Sequence, residues 1–215
     1  EMAGAITTRA VAGISGGYVG GGTWRVTGVP GLIITGVDAP ASNLGSSPTG
    51  EILIKLDWSD FDAGEFSTTQ VATEVVSELL RKDVNGNFIH KQELELPIHL
   101  IGHSRGGSLV CEIARLLGKE GIQVDQVTTL DPHPVTAFGD AHGPQYVSGV
   151  DVHEVLIPNN VIFADCYFQR GAVDGIFDGG PANGAHLIDL SGVVTGTDLI
   201  TGGAHSRIHT YYHGT

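Results

Sequence analysis

The chain has 215 residues, 41% of them hydrophobic and 16% charged, which is enough apolar material for one domain with a substantial core. Eleven Lys and Arg stand against 24 Asp and Glu, a formal charge of -13 that repels phosphate backbones and leaves no basic stripe for a nucleic acid. Two cysteines, Cys111 and Cys166, exclude a disulfide framework, and no apolar run nears the roughly 18 residues that span a bilayer.

The start, Glu1-Met2-Ala3-Gly4, lacks the basic and apolar regions of a signal peptide. A soluble secreted protein with its signal removed would read the same way, so the compartment stays open. Residues 1–50 are rich in Gly and Ala, and Gly16-Gly17 and Gly20-Gly21-Gly22 interrupt any helical or strand period, so short strands or loops are expected there. Leu32 to Gly36 is the first good strand candidate, and Ser42 to Gly50 a turn-rich connection.

Glu51 to Trp58 reads as a short buried parallel strand. The period then changes: Val71, Val75, Val76, Leu79 and Leu80 fall at helical spacing, with Ser67 or Thr68 as cap and an end near Arg81 or Lys82. Asp83 to Asn87, built around Asn85-Gly86, is a turn. Ile98 to Ile101 forms the next strand, and Leu109, Val110, Ile113, Leu116 and Leu117 continue at helical spacing to Gly118, a natural stop. Cys111 falls on the apolar face of that helix, where a buried free thiol is the favoured state. Val124 to Leu130 and Val161 to Phe168 complete the strands, and strands separated by helices predict an α/β fold with a mostly parallel sheet. No repeat or low-complexity tract argues for a second domain.

Gly102-His103-Ser104-Arg105-Gly106 fits Gly-x-Ser-x-Gly, and it lies between a strand and a helix, the context that gives the motif its meaning. A nucleophile displayed above a sheet occupies a strained turn, and Gly on either side avoids collision with neighbouring backbone. The backbone N–H of Arg105 opens the helix and is a candidate oxyanion donor, while its side chain reads as a solvated or substrate-facing charge.

Serine needs a His to take its proton and a carboxylate to fix that His, in the chain order Ser, acid, His. Asp131 ends the next strand, where α/β sheets gather functional groups, although a turn or capping role before Pro132 competes. The base is one of His133, His142, His153, His186, His205, His209 and His213. His205, delivered by Gly202-Gly203, is preferred, and His209 is second.

These residues resemble a known family. Leu56-Asp57-Trp58, Gly102 to Gly107 and Leu130-Asp131-Pro132 are similar to pancreatic-type lipases and related lipase-like bacterial proteins, and His205-Ser206-Arg207-Ile208-His209-Thr210-Tyr211-Tyr212 is similar to the ending of the bacterial relatives. The resemblance implies one α/β-hydrolase domain over residues 1–215, with helices on both faces of its sheet. It also implies ester hydrolysis through Ser104, Asp131 and His205, acting on lipids (triglycerides or, as a phospholipase A1-like enzyme, phospholipids) or small esters. The family's second oxyanion donor follows an earlier strand at a His-Gly. Ile34-Thr35-Gly36-Val37 lacks that His, which makes Val37 a weak equivalent and suggests an N-terminal piece that is missing or rebuilt.

Trp58 is expected in the core or at the site edge, and Asp57 in a structural role. Asp174, Asp178 and Asp189 could join carbonyls around a structural Ca²⁺, but their spacing fits no specific loop and a solvated face is favoured, so no cofactor is expected. A thioesterase or amidase using the same triad, and a catalytically silent binding domain of the same fold, are the alternatives. Acyl-chain preference and oligomeric state have no readable code.

Overall fold

The structure, a computed structural model, describes residues 18–28, 32–35, 51–58, 66–95, 97–134, 140, 155–170, 179–194 and 203–214. Its contacts gather into two units, one of residues 1–63 and 77–96 and the other of 64–76 and 97–215.

The first unit holds a three-stranded sheet in the order β2-β1-β3, from β1 (Tyr18–Gly28), β2 (Leu32–Thr35) and β3 (Glu51–Asp57). β2 runs antiparallel to β1 and β3 parallel to it. The long β1 departs from the expectation of broken structure around Gly20-Gly21-Gly22. Those glycines pair with Ile52, Leu53 and Ile54 of β3 after a register shift between Tyr18 and Gly20. Backbone ladder bonds, which need no side chain, carry the pairing there. Downstream, Trp24 is buried, with its ring 5.0 Å from that of His90. The imidazole of His90 meets Glu78 at 3.0 Å and Glu93 at 3.3 Å, and these bonds raise its pKa against the opposing effect of burial.

The second unit is α/β. Its main sheet has the order β4-β5-β7-β9, all neighbours parallel, from β4 (His99–His103), β5 (Val124–Leu130), β7 (Val161–Phe168) and β9 (His186–Asp189). A parallel pair of two-residue strands, β6 (Val155–Leu156) and β8 (Ala182–Asn183), completes the strands described. β5 and β7 keep the bounds expected of them, Val124 to Leu130 and Val161 to Phe168. β9 was not expected, because His186-Leu187-Ile188-Asp189 is a short edge strand with three exposed side chains.

α1 (Thr68–Leu79) begins at a capping box: the Gln70 N–H donates to Ser67 Oγ at 3.3 Å and the Ser67 N–H to Gln70 Oε1 at 2.9 Å. It ends before the expected Arg81, where the chain turns into the Asp83 to Asn87 loop with Gly86 at φ 84°. The short α2 (Lys91–Glu95) follows. α3 (Arg105–Lys119) buries Leu109, Val110, Ile113, Ala114 and Leu117, and Val124, Val127 and Leu130 are the buried apolar residues of β5. Burying each of the Leu, Ile and Val side chains contributes about 1.5–3 kcal/mol.

Gly118 does not stop α3. The Asn160 amide, which donates to the carbonyls of Ala114 and Ile122, lies 2.6 Å from where a Gly118 Cβ would stand, so this glycine makes room for it. The stop is Gly121 at φ 76°, with the Ile122 N–H on Leu117 O and the Gly121 N–H on Gly118 O. The last element is α4 (Gly203–Gly214).

Candidate active site

Ser104 sits between the end of β4 and the start of α3 with φ 56° and ψ −128°, left-handed backbone that a side chain rarely adopts. Three bonds hold it there. Its N–H donates to Leu130 O at 2.9 Å, and its carbonyl accepts from the Gly107 N–H at 2.9 Å and the His133 N–H at 3.1 Å. The strand-to-helix turn at Ser104 is thereby cross-tied to the end of β5.

Two glycines make this approach possible. A Cβ on Gly102 would stand 2.1 Å from Gly106 O, and one on Gly107 would stand 2.7 Å from the Pro132 Cβ. Gly106, the second glycine of the motif, has nothing within 4 Å of that position, so the flank that must be small is Gly107.

Asp131 follows β5 with φ 47° and no exposure to solvent. Its N–H donates to Tyr167 O at 2.6 Å. Its carboxylate accepts from the Gln169 backbone N–H and from Gln169 Nε2, both at 3.0 Å, and from His205 Nδ1 at 2.6 Å. These donors replace the water that a buried carboxylate loses.

His205 enters from the first turn of α4, after Gly203 at φ 49°. With its Nδ1–H given to Asp131, its Nε2 accepts the Ser104 hydroxyl at 2.7 Å. The structure therefore brings Ser104, Asp131 and His205 into one chain of hydrogen bonds, though they lie far apart in sequence. His209 does not join it: its ring meets those of His103 at 5.3 Å and His213 at 6.1 Å. His133 stands 6.0 Å from His205, His186 is exposed on β9, and His142 and His153 lie outside the described residues.

Three neighbours carried no sequence signal. Gln169 follows β7 and holds both carboxylate oxygens of Asp131. Gly179 lies so close to Asp131 that a Cβ would stand 2.1 Å from its Oδ1. His103 donates from Nε2 to His205 O at 3.0 Å, and burial together with the neighbouring His205 pushes its pKa down to about 4. A Gln beyond a strand and a Gly in a loop have no periodicity to betray them. His103 was visible only as a variable position of the motif.

The Arg105 amide lies at the N-terminus of α3, where helix geometry and dipole favour an anion. Its side chain is not a solvated or substrate-facing charge as expected: it is 6% exposed and paired with the buried Asp140. Val37 lies outside the described residues, as do Asp174 and Asp178. Asp189 accepts from the Ser191 N–H at 2.8 Å in a turn. Among the described residues no group of three or more His, Cys, Asp or Glu is placed to hold a metal ion. Trp58 and Asp57 are half-buried. Cys111 and Cys166 are both buried free thiols, and burial pushes the Cys166 pKa up to about 11.

Among the described residues no helix is long and apolar enough to cross a membrane. No family model and no solved structure matches the chain. The chain is similar, at 29% identity over 125 residues, to the N-(5-amino-5-carboxypentanoyl)-L-cysteinyl-D-valine synthase of Amycolatopsis lactamdurans, a match that covers 55% of this chain and 3% of that protein.

Proposed function

We propose that the chain is a serine hydrolase of the α/β-hydrolase fold that cleaves carboxylic esters through an acyl-enzyme. One observation carries this reading: a single imidazole bonds a serine hydroxyl through one nitrogen and a buried carboxylate through the other. The parallel sheet supports it as well, because the serine and the acid both leave the C-terminal ends of adjacent strands.

His205 Nε2 takes the Ser104 proton as Oγ attacks the ester carbonyl carbon. Asp131 holds the Nδ1–H and stabilises the imidazolium that forms. The Arg105 amide, at the N-terminus of α3, donates to the developing oxyanion. His205 then protonates the departing alcohol, and a water activated by the same imidazole releases the acid.

Substrates are lipid or small esters, and no metal or cofactor takes part in these steps. The synthase assembles a peptide, by its name, and this chain spans too little of it for that activity to be carried over. A panel of esters, thioesters and amides therefore sets the acyl bond, and Ser104→Ala sets the nucleophile. The expected result is hydrolysis of a short p-nitrophenyl ester by the parent chain and a loss on the order of 10⁴-fold or more in the variant. Undiminished turnover in pure Ser104→Ala protein would reject the assignment.

A further inference from the structure

We infer that Asp140 is a positioning residue for the oxyanion donor, acting through the side chain of Arg105; this rests on the serine hydrolase reading. Arg105 supplies the backbone amide beside the nucleophile, yet its guanidinium turns away into the protein. Nε donates to Asp140 Oδ2 at 2.6 Å, Nη2 donates to Asp140 Oδ1 at 2.7 Å, and Nη2 also donates to the Phe66 carbonyl. Asp140 is 1% exposed, and its Oδ1 accepts the N–H of Thr68, the first residue of α1, at 2.9 Å. Thr68 Oγ1 in turn meets Ser108 Oγ of α3 at 3.3 Å.

The fork fixes the Arg105 guanidinium at two points. The peptide joining Ser104 to Arg105 sits in left-handed backbone, where a small rotation would swing the amide away from the reacting carbonyl. A two-point guanidinium–carboxylate contact resists that rotation in a way a single flexible ammonium does not. The pair also settles a charge conflict. An unneutralised carboxylate near the start of α3 would oppose an oxyanion there, and the guanidinium cancels it.

Three variants test this: Asp140→Asn, Arg105→Lys, and the double variant Arg105→Met with Asp140→Leu, which removes both charges and so leaves neither buried alone. Active sites are titrated to completion with a fluorophosphonate, so that misfolded protein is not counted. Per titrated site, kcat falls roughly ten- to hundred-fold with KM within about two-fold, and affinity for a trifluoromethyl ketone falls in step with kcat. A purely structural pair would lower the melting temperature and leave kcat per site and ketone affinity at parent values, and that result in any of the three variants overturns the inference. Parent protein that the fluorophosphonate does not label overturns the hydrolase reading instead, which keeps the two failures distinct.

Discussion

Ser104 and Asp131 both hold left-handed backbone, at φ 56° and 47°, and each such residue costs on the order of 1–3 kcal/mol that the surroundings must offset. At Ser104 the offset comes from the Leu130, Gly107 and His133 backbone bonds, and at Asp131 from Tyr167 O and the Gln169 donors. Gln169 is the more informative position, because its side chain donates to the Asp131 carboxylate. Gln169→Ala removes one of the donors to the Asp131 carboxylate, a bond to a charged group worth about 1.5–3 kcal/mol. The expected outcome is roughly a ten-fold or larger fall in kcat with KM nearly unchanged, read on a chromogenic ester. Parent kcat would show that the carboxylate holds His205 without it.

At the scale of elements, the strand-to-helix turn at Ser104 makes a prediction that separates its glycines. Gly102→Ala drives a Cβ into Gly106 O and Gly107→Ala drives one into Pro132, whereas Gly106→Ala meets nothing. Within a helix, Gly→Ala contributes about 0.5–1 kcal/mol of stability, so Gly106→Ala is expected to raise the denaturation midpoint slightly and the other two to lower it. Equal effects at all three positions would contradict the packing described. Legibility in the sequence follows the same physics. Val124 to Leu130 and Val161 to Phe168 are rich in β-branched or aromatic residues and sit centrally in a parallel sheet, and they were readable to the residue. β1 was not, since its Gly20-Gly21-Gly22 run pairs through backbone alone, and neither was the short edge strand β9. Ser104, Asp131 and His205 were legible because turn geometry and chain order constrain them. Gln169, Gly179 and Asp140 were not, because their roles exist only once distant segments meet.

Across the whole molecule, two histidines set opposing pH dependences. Burial, with the neighbouring His205, lowers the His103 pKa to about 4, so an unfolded chain takes up that proton first as pH falls. The stability contributed by neutral His103 is full above about 6.5 and is lost between there and about 4. His90 has the reverse sign. Its bonds to Glu93 and Glu78 raise its pKa, so its contribution is full below about 6.5 and is lost as pH rises through the raised value. His103→Asn, which keeps a donor for His205 O, is expected to flatten the fall in melting temperature between pH 6.5 and 4. An unchanged slope would assign that limb to other groups.

The central claim is that His205 and Asp131 make Ser104 a nucleophile. Mass spectrometry of the chain treated with a fluorophosphonate tests this most directly, with His205→Ala treated alongside. The expected result is one adduct per molecule on the peptide containing Ser104, formed at least about a thousand-fold more slowly in the variant. An unlabelled Ser104 in folded protein, or labelling as fast without His205, would contradict it.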